Sequence, residues 1–267
     1  MSVCHLTQQI DTLARRVADA AHVIAFTGAG ISTESGIPDY RSQGGLWDRF
    51  RPVTFPEFMA AEASRVEYWQ KRAAMQPALA AATPNPAHRA LAALHTMGRL
   101  EAVITQNIDG LHQAAGLPAD RVLELHGNTR RIRCLTCRRE VDEAAVMARI
   151  ARGDAAPACP CGGFLKPDTV SFGQSLPAEV LDRAVRLSGR SDVFLVVGST
   201  LVVQPAAAMP EYARRAGAFL AIVNLSDTPF DQRCEVLIRQ PAGTVLPALA
   251  ERVEALLAEA QPLRDPM

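Results

Sequence analysis

The chain has 267 residues, 48% of them hydrophobic, and its 28 basic residues balance 28 acidic ones. That length suits one large domain with a substantial insertion, or two modest ones, and the zero net charge argues against nucleic acid, a membrane surface or a strongly charged partner. No apolar run approaches the roughly 18 residues of a membrane span, and residues 1–16 lack the apolar core of a secretory signal, so a cytoplasmic protein is expected, with its oligomeric state left open.

Residues 6–21 carry apolar side chains at helical spacing and predict an opening helix. The apolar run 22–26 predicts a buried strand entering the glycine turn Thr27-Gly28-Ala29-Gly30. From 39 to 86 the chain reads as helical and irregular, rich in alanine and interrupted by prolines; 88–97 predicts a helix. Further strands are predicted at 102–105, 122–124, 193–197, 219–223 and 235–238, with helices at 205–216 and 243–259. Short apolar strands alternating with helices predict an α/β fold, a Rossmann-like parallel sheet covered on both faces. Two intervals break the alternation. The expected organisation is a nucleotide-binding domain from 1–38, 87–128 and 171–267, with a helical module (39–86) and a cysteine-bearing module (129–170) as a small inserted domain.

Gly28-Ala29-Gly30-Ile31-Ser32 follows a predicted strand, where backbone can approach a pyrophosphate at a helix N-terminus. Thr33 replaces the third glycine of the dinucleotide fingerprint, and the second strand ends in Thr105-Gln106-Asn107 without the usual acid. An ordinary dehydrogenase therefore fits poorly, and taken alone the glycines read first as a tight strand-to-helix turn. Gly36-Ile37-Pro38-Asp39-Tyr40-Arg41-Ser42 joins an aromatic to an acid and a base. Gln106-Asn107-Ile108-Asp109-Gly110 sets amides and a carboxylate beyond a strand's carboxyl end, where open α/β sheets bind ligands; helix capping by Asn107 or Asp109 competes with that reading.

Leu125-His126-Gly127-Asn128 repeats this geometry. His126 has the best claim of the six histidines to acid–base work, because imidazole titrates near neutrality. His5, His22, His88, His95 and His112 are expected to pack or to face solvent. Cys134-x2-Cys137 and Cys159-x-Cys161, separated by 21 residues, read as two knuckles closing four thiolates around one zinc ion. Four thiolates leave no open coordination position, so the ion is expected to be structural; the second knuckle is one residue shorter than usual. Gly198-Ser199-Thr200 and Val223-Asn224-Leu225-Ser226 place small polar residues after strands, as plain turns also do. Residues 166–174 form an extended segment able to offer backbone groups to a peptide.

In order and spacing these pieces resemble the sirtuin family from Thr27 to about Leu249, and Thr33-Glu34-Ser35, Tyr40 and Pro84-Asn85-Pro86-Ala87-His88 are similar to its class II branch. The resemblance implies an NAD-dependent protein-lysine deacylase of the deacetylase type, acting on an acylated-lysine protein or peptide. NAD is then consumed as a co-substrate, and zinc is a single structural ion. Gly28, Ala29, Gly30, Asp39, Tyr40 and Arg41 would line the cofactor entrance and nicotinamide side. Gln106 and Asn107 would hold the nicotinamide ribose, Ile108 and Asp109 would meet the carboxamide, and Gly198, Ser199, Asn224, Leu225 and Ala242 would complete the cofactor site. His126, with Asn107 and Asp109, would be catalytic: the acyl oxygen attacks the ribose, nicotinamide leaves, and His126 takes the proton of a ribose hydroxyl.

Backbone from Val170 to Gly173 would pair with the peptide. Ser171 stands where a large aromatic is common, and Gln174 where glutamate is frequent. Tyr68 and Lys71 take the spacing at which the branch that prefers acidic acyl chains carries Tyr and Arg. Lysine is a poor grip for a carboxylate; Lys71 is expected to face water and the pocket to take neutral acyl groups. Mono-ADP-ribosyl transfer is the nearest alternative. A non-catalytic NAD- and zinc-binding module is the other, with Arg130, Arg131, Arg133, Arg138 and Arg139 crowding the first knuckle; intact His126, Asn107 and Asp109 argue against it.

Overall fold

The computed structural model describes residues 3–39 and 51–260. After α1 (Val3–Asp19), β1 (Val23–Thr27) opens a six-stranded sheet whose other members are β2 (Ala102–Thr105), β3 (Val122–Glu124), β7 (Val193–Val197), β8 (Phe219–Val223) and β9 (Val236–Ile238). The order is β3-β2-β1-β7-β8-β9 and every pairing is parallel. The chain moves outward from β1 to β3, then returns to place β7 on the free side of β1. Strand order therefore reverses between β1 and β7, and the crevice beyond their carboxyl ends is where such sheets bind ligands.

Alternation along each strand feeds two cores. Val23, Ala25, Val193, Leu195 and Val197 face α1, α4 (Pro86–Thr96) and α9 (Ala242–Glu259), while Ile24, Phe26, Phe194 and Val196 face α7 (Ala178–Ser188) and α8 (Met209–Arg215). A sheet buried on both faces needs such continuous apolar strands. Each fully buried Val, Leu, Ile or Phe contributes about 1.5–3 kcal/mol.

A second, antiparallel sheet has the order β5-β4-β6, from β4 (Gly127–Cys134), β5 (Glu140–Val141) and β6 (Leu165–Thr169). With α2 (Phe55–Ala60), α3 (Glu62–Ala81) and α6 (Glu143–Ala151) it forms the smaller part. Its core is Trp69, Ile132, Cys134, Val146, Cys159 and Leu165, so α3 and the knuckle sheet share one cluster. All the expected strands of the large sheet are present, the last shortened to three residues. The small sheet, α6 and α7 were not anticipated.

Candidate active site

The residues after β1 and β7 meet backbone to backbone. Gly28 N donates to Val197 O at 3.0 Å and Gly30 N to Gly198 O at 2.8 Å. A Cβ on Gly28 would lie 2.7 Å from Gly198 O; one on Gly198, whose φ is +64°, would lie 2.3 Å from Ile31 N. Only glycine fits this contact. The sequence motifs thus form one bare-backbone floor beneath a cavity of about 1180 Å³, whose lining includes Ala29, Gly30, Gln106, Asn107, Ile108 and His126 together with Gly198, Ser199, Asn224, Leu225 and Ala242. Asp39 lines it too, whereas Tyr40 and Arg41 lie outside the described residues.

Under the floor is a buried polar layer. Asn107 Nδ2 donates to Gly28 O and to Ser32 Oγ, both at 3.1 Å, and Ser32 Oγ donates to Asp109 Oδ2 at 2.8 Å. Asp109 Oδ1 accepts from Leu111 N at 2.9 Å, so it also ties down the first residue of α5 (Leu111–Ala114). Burial raises the Asp109 pKa above the usual carboxylate value, opposed by bonds from Leu111 and Ser32. Asp109 does not line the cavity; its carboxylate anchors Ser32 from below.

His88 and His112 are fully buried behind Ser32, with rings 5.0 Å apart. Desolvation lowers their pKa values to about 4 and about 3. Thr27 Oγ1 donates to Thr105 Oγ1 at 2.8 Å and so accepts from His112 Nε2, also at 2.8 Å. Asn85 caps α4 through Ala87 N and His88 N and donates to Ile31 O at 2.7 Å. The Pro84–His88 motif therefore ties α4 to the glycine turn.

His126 stands at the joint between the two sheets: Leu125 N bonds to Thr105 O at 3.0 Å, and Val170 N to His126 O at 2.8 Å. Its Nδ1 is 2.9 Å from Gln106 O. A carbonyl only accepts, so Nδ1 carries the proton and Nε2 is the basic atom. Desolvation lowers the His126 pKa below the ordinary histidine value, partly offset by the Gln106 carbonyl. Gln106 is itself held by Ser199 Oγ at 2.8 Å from its Oε1.

The four paired cysteines converge, all sulphurs within 4.8 Å of one another. Cys134 and Cys161 are 3.5 Å apart, Cys137 and Cys159 3.7 Å, close to the roughly 3.8 Å that bonds of about 2.3 Å give in a tetrahedron. Burial alone would push the Cys134 thiol up, but N–H groups of Cys137 and Thr136 outweigh it and bring it to about 6. In the short second knuckle Cys159 N bonds to Gly163 O and Gly162 N to Cys159 O, both at 2.8 Å, which turns Cys161 into the cluster. The donor set fits a structural zinc ion.

The cavity wall extends beyond the motifs of the sequence, although Thr200, Tyr68 and Lys71 stand among the residues that the sequence singles out. The stretch 200–205 and Thr129 line it, as does one face of α3, through Tyr68, Lys71, Arg72, Met75 and Leu79. Lys71 does not face open water: its Nζ donates to Arg51 O and to the Glu67 carboxylate. Part of the segment expected to pair with a peptide is engaged within the chain. Phe55 N bonds to Phe172 O at 2.8 Å, and Gln174 Oε1 accepts from Ser171 N at 3.2 Å.

A Rossmann-type sheet with its cavity at the switch point, and a four-thiolate knuckle beside it, define a dinucleotide-binding protein with an inserted zinc-ribbon module. The family model described as Sir2 family matches residues 28–205. A Bradyrhizobium diazoefficiens protein named NAD-dependent protein deacetylase 1 is 46% identical over 242 residues, 90% of this chain and 95% of that one. A solved Sir2 homologue–NAD complex is 36% identical with a TM-score of 0.81, covering 92% of this chain and 94% of that one. A solved complex of Sir2 with a p53 peptide and NAD+ is 34% identical, TM-score 0.79, covering 93% and 98%. The chain belongs to the Sir2 family.

Proposed function

We propose that the chain is an NAD-dependent protein-lysine deacylase, of the deacetylase type. The observation that carries this is His126: a half-buried imidazole at the joint of the two sheets, Nδ1 committed to Gln106 O and Nε2 free to take a proton at the cavity. The relatives' names and the NAD and peptide complexes support the same reading. NAD is a substrate here. Its bond to nicotinamide breaks, the acyl group passes from lysine to ADP-ribose, and water completes the balance to give nicotinamide, acyl-ADP-ribose and free lysine.

The bare backbone of Gly28, Ala29, Gly30, Gly198 and Ser199 would approach the phosphates, and Asn224, Leu225 and Ala242 the adenosine end. Asp39, Tyr40, Arg41 and Ile108 would lie on the nicotinamide side, with Gln106 and Asn107 at its ribose. Asn107 and Asp109 act as one unit through Ser32, which fixes the ribose side of the floor. His126 Nε2 accepts the ribose hydroxyl proton. Zinc would be held by Cys134, Cys137, Cys159 and Cys161 and supply folding energy only. Residues 39–86 and 129–170 together would act as one small domain, supported by the core that Trp69 shares with Ile132, Cys134 and Leu165, beside the nucleotide-binding remainder. No helix among the described residues is long and apolar enough to cross a membrane; paired reduced thiols support a cytoplasmic site of action.

Lys71 already serves Glu67 and Arg51 O, so neutral acyl groups are preferred over acidic ones. Mass spectrometry of the NAD products with acetyl, longer neutral and succinyl forms of one peptide tests both statements. Nicotinamide, acetyl-ADP-ribose and freed lysine in equal amounts are expected. ADP-ribose attached to protein while lysine stays acylated would replace deacylation by ADP-ribosyl transfer, and a succinyl preference of about tenfold or more would overturn the neutral pocket.

A further inference from the structure

We propose that Arg239 is a positioning residue for NAD, fixing the two chain segments that form the adenosine end of the cavity without lining it. The proposal rests on the reading of that cavity as an NAD site.

Regular pairing of β8 with β9 ends at Val223 and Ile238, with one further bond from Asn224 N to Ile238 O at 3.2 Å. Beyond that point the chains part. Residues 224–226 and 240–242 both line the cavity. Arg239 is the first residue past the ladder on β9, and its guanidinium fills the fork. Nη1 donates to the carbonyl of Asn224 at 3.1 Å and to that of Ser226; Nη2 donates to the carboxylates of Asp227, at 2.8 Å, and Asp231. Asn224 Nδ2 donates to the same Ser226 carbonyl at 2.7 Å. Asp231 completes the fold-back by accepting from Thr228 N at 3.1 Å and Thr228 Oγ1 at 2.8 Å.

These bonds differ in weight. The Asp227 side chain is 98% exposed, and an ion pair to it adds little. The two carbonyls and the shielded Asp231 carboxylate do the holding. Arginine suits the place because a rigid planar fork of five donors reaches acceptors in several directions, whereas lysine is a point charge. Without the fork, 224–231 populates arrangements in which Asn224 and Leu225 no longer face 240–242 at the distance an adenosine requires. Apparent affinity then falls by the fraction of molecules that remain competent.

The test uses the full-length zinc-loaded protein with Arg239→Met and Arg239→Lys. Calorimetric titration with ADP-ribose gives binding without turnover, and steady-state rates with NAD and an acetyl-lysine peptide give the split between parameters. In Arg239→Met the ADP-ribose Kd and the NAD KM should both rise about tenfold, as for a competent fraction near one tenth, while kcat and the peptide KM stay within about twofold. Arg239→Lys should fall between the two, and it carries the test if the Met variant does not fold. Amide exchange should speed up over 224–231 and not over 219–223. Unchanged ADP-ribose affinity, or kcat and peptide KM moving in step with the NAD KM, would overturn the proposal. Failure of the parent protein to bind ADP-ribose would sink the NAD reading and the proposal with it, and the parent titration alone identifies that case.

Discussion

The cavity wall made by β1, β7 and β8 is backbone carried on a large apolar core, whereas the wall made by α3 and the knuckle sheet is side chain carried on a small one. On the sheet side, Gly28, Gly30 and Gly198 touch through main-chain atoms, and two clusters of buried aliphatics hold the strands that carry them. On the other side, two of the six core residues are the cysteines themselves. Tyr68 and Arg72 are held there by Thr169, Thr129 O and Glu143 as well as by packing, and a metal on the four thiolates would add folding energy to so small a core. His126 lies where the two meet, bonded by its neighbours into both sheets.

His126→Ala should produce the largest effect, because it removes the imidazole at the joint that lines the cavity and leaves both walls intact. Turnover should fall by about 10²–10⁴, with thermal stability and ADP-ribose affinity unchanged. In the parent, the acid limb of kcat/KM should lie below the ordinary histidine pKa, since burial favours the neutral, basic imidazole. Normal turnover by a folded variant would remove His126 from the reaction.

Gly198→Ala probes the sheet wall. The left-handed conformation costs about 1–2 kcal/mol for a side chain, and overlap with Ile31 N comes on top. Stability should fall by about 3 kcal/mol or more with ADP-ribose binding lost; denaturant melts and calorimetry read both. A variant of parental stability would show that the close contact is not obligatory.

A smaller effect comes from the buried histidines. Their folded pKa values, about 4 for His88 and about 3 for His112, lie below the value near 6.5 of an unfolded chain. The unfolded state then binds more protons below pH 6.5, so stability falls as pH drops through 6.5 toward 4, by on the order of 2–3 kcal/mol for His88. Urea unfolding from pH 7 to pH 4 measures the slope, and His112→Gln should flatten part of it. A flat profile in the parent would mean that these imidazoles are not held neutral.

The two regions also differed in how far the sequence revealed them. Strands buried on both faces announce themselves as unbroken apolar runs, as 193–197 does, and the glycine turn and Gln106–Asp109 stand at strand ends where α/β sheets bind ligands. The knuckle cysteines were legible from spacing alone. The antiparallel sheet was not, because Gly127–Cys134 is polar and bulged between Asn128 and Ile132. α7 does carry a local pattern, since Val180, Leu181, Ala184 and Leu187 keep helical spacing. On the α3 wall the spacing of Tyr68 and Lys71 is legible, whereas Arg72, Met75, Leu79 and residues 201–205 reach the cavity only through tertiary packing. Asp109 reads from its place after a strand as a group facing the ligand; that its carboxylate is buried and accepts from Ser32 is visible only in the folded chain.

The division of labour between the walls is tested most directly by titrating ADP-ribose and an acetyl-lysine peptide into the protein before and after zinc is removed with a chelator. The sheet wall stands on its own core, so ADP-ribose affinity should survive within about threefold. Peptide binding should be lost, because α3 and the knuckle sheet share the cluster around Trp69 and Cys134. Loss of both affinities together, or retention of both, would contradict the account.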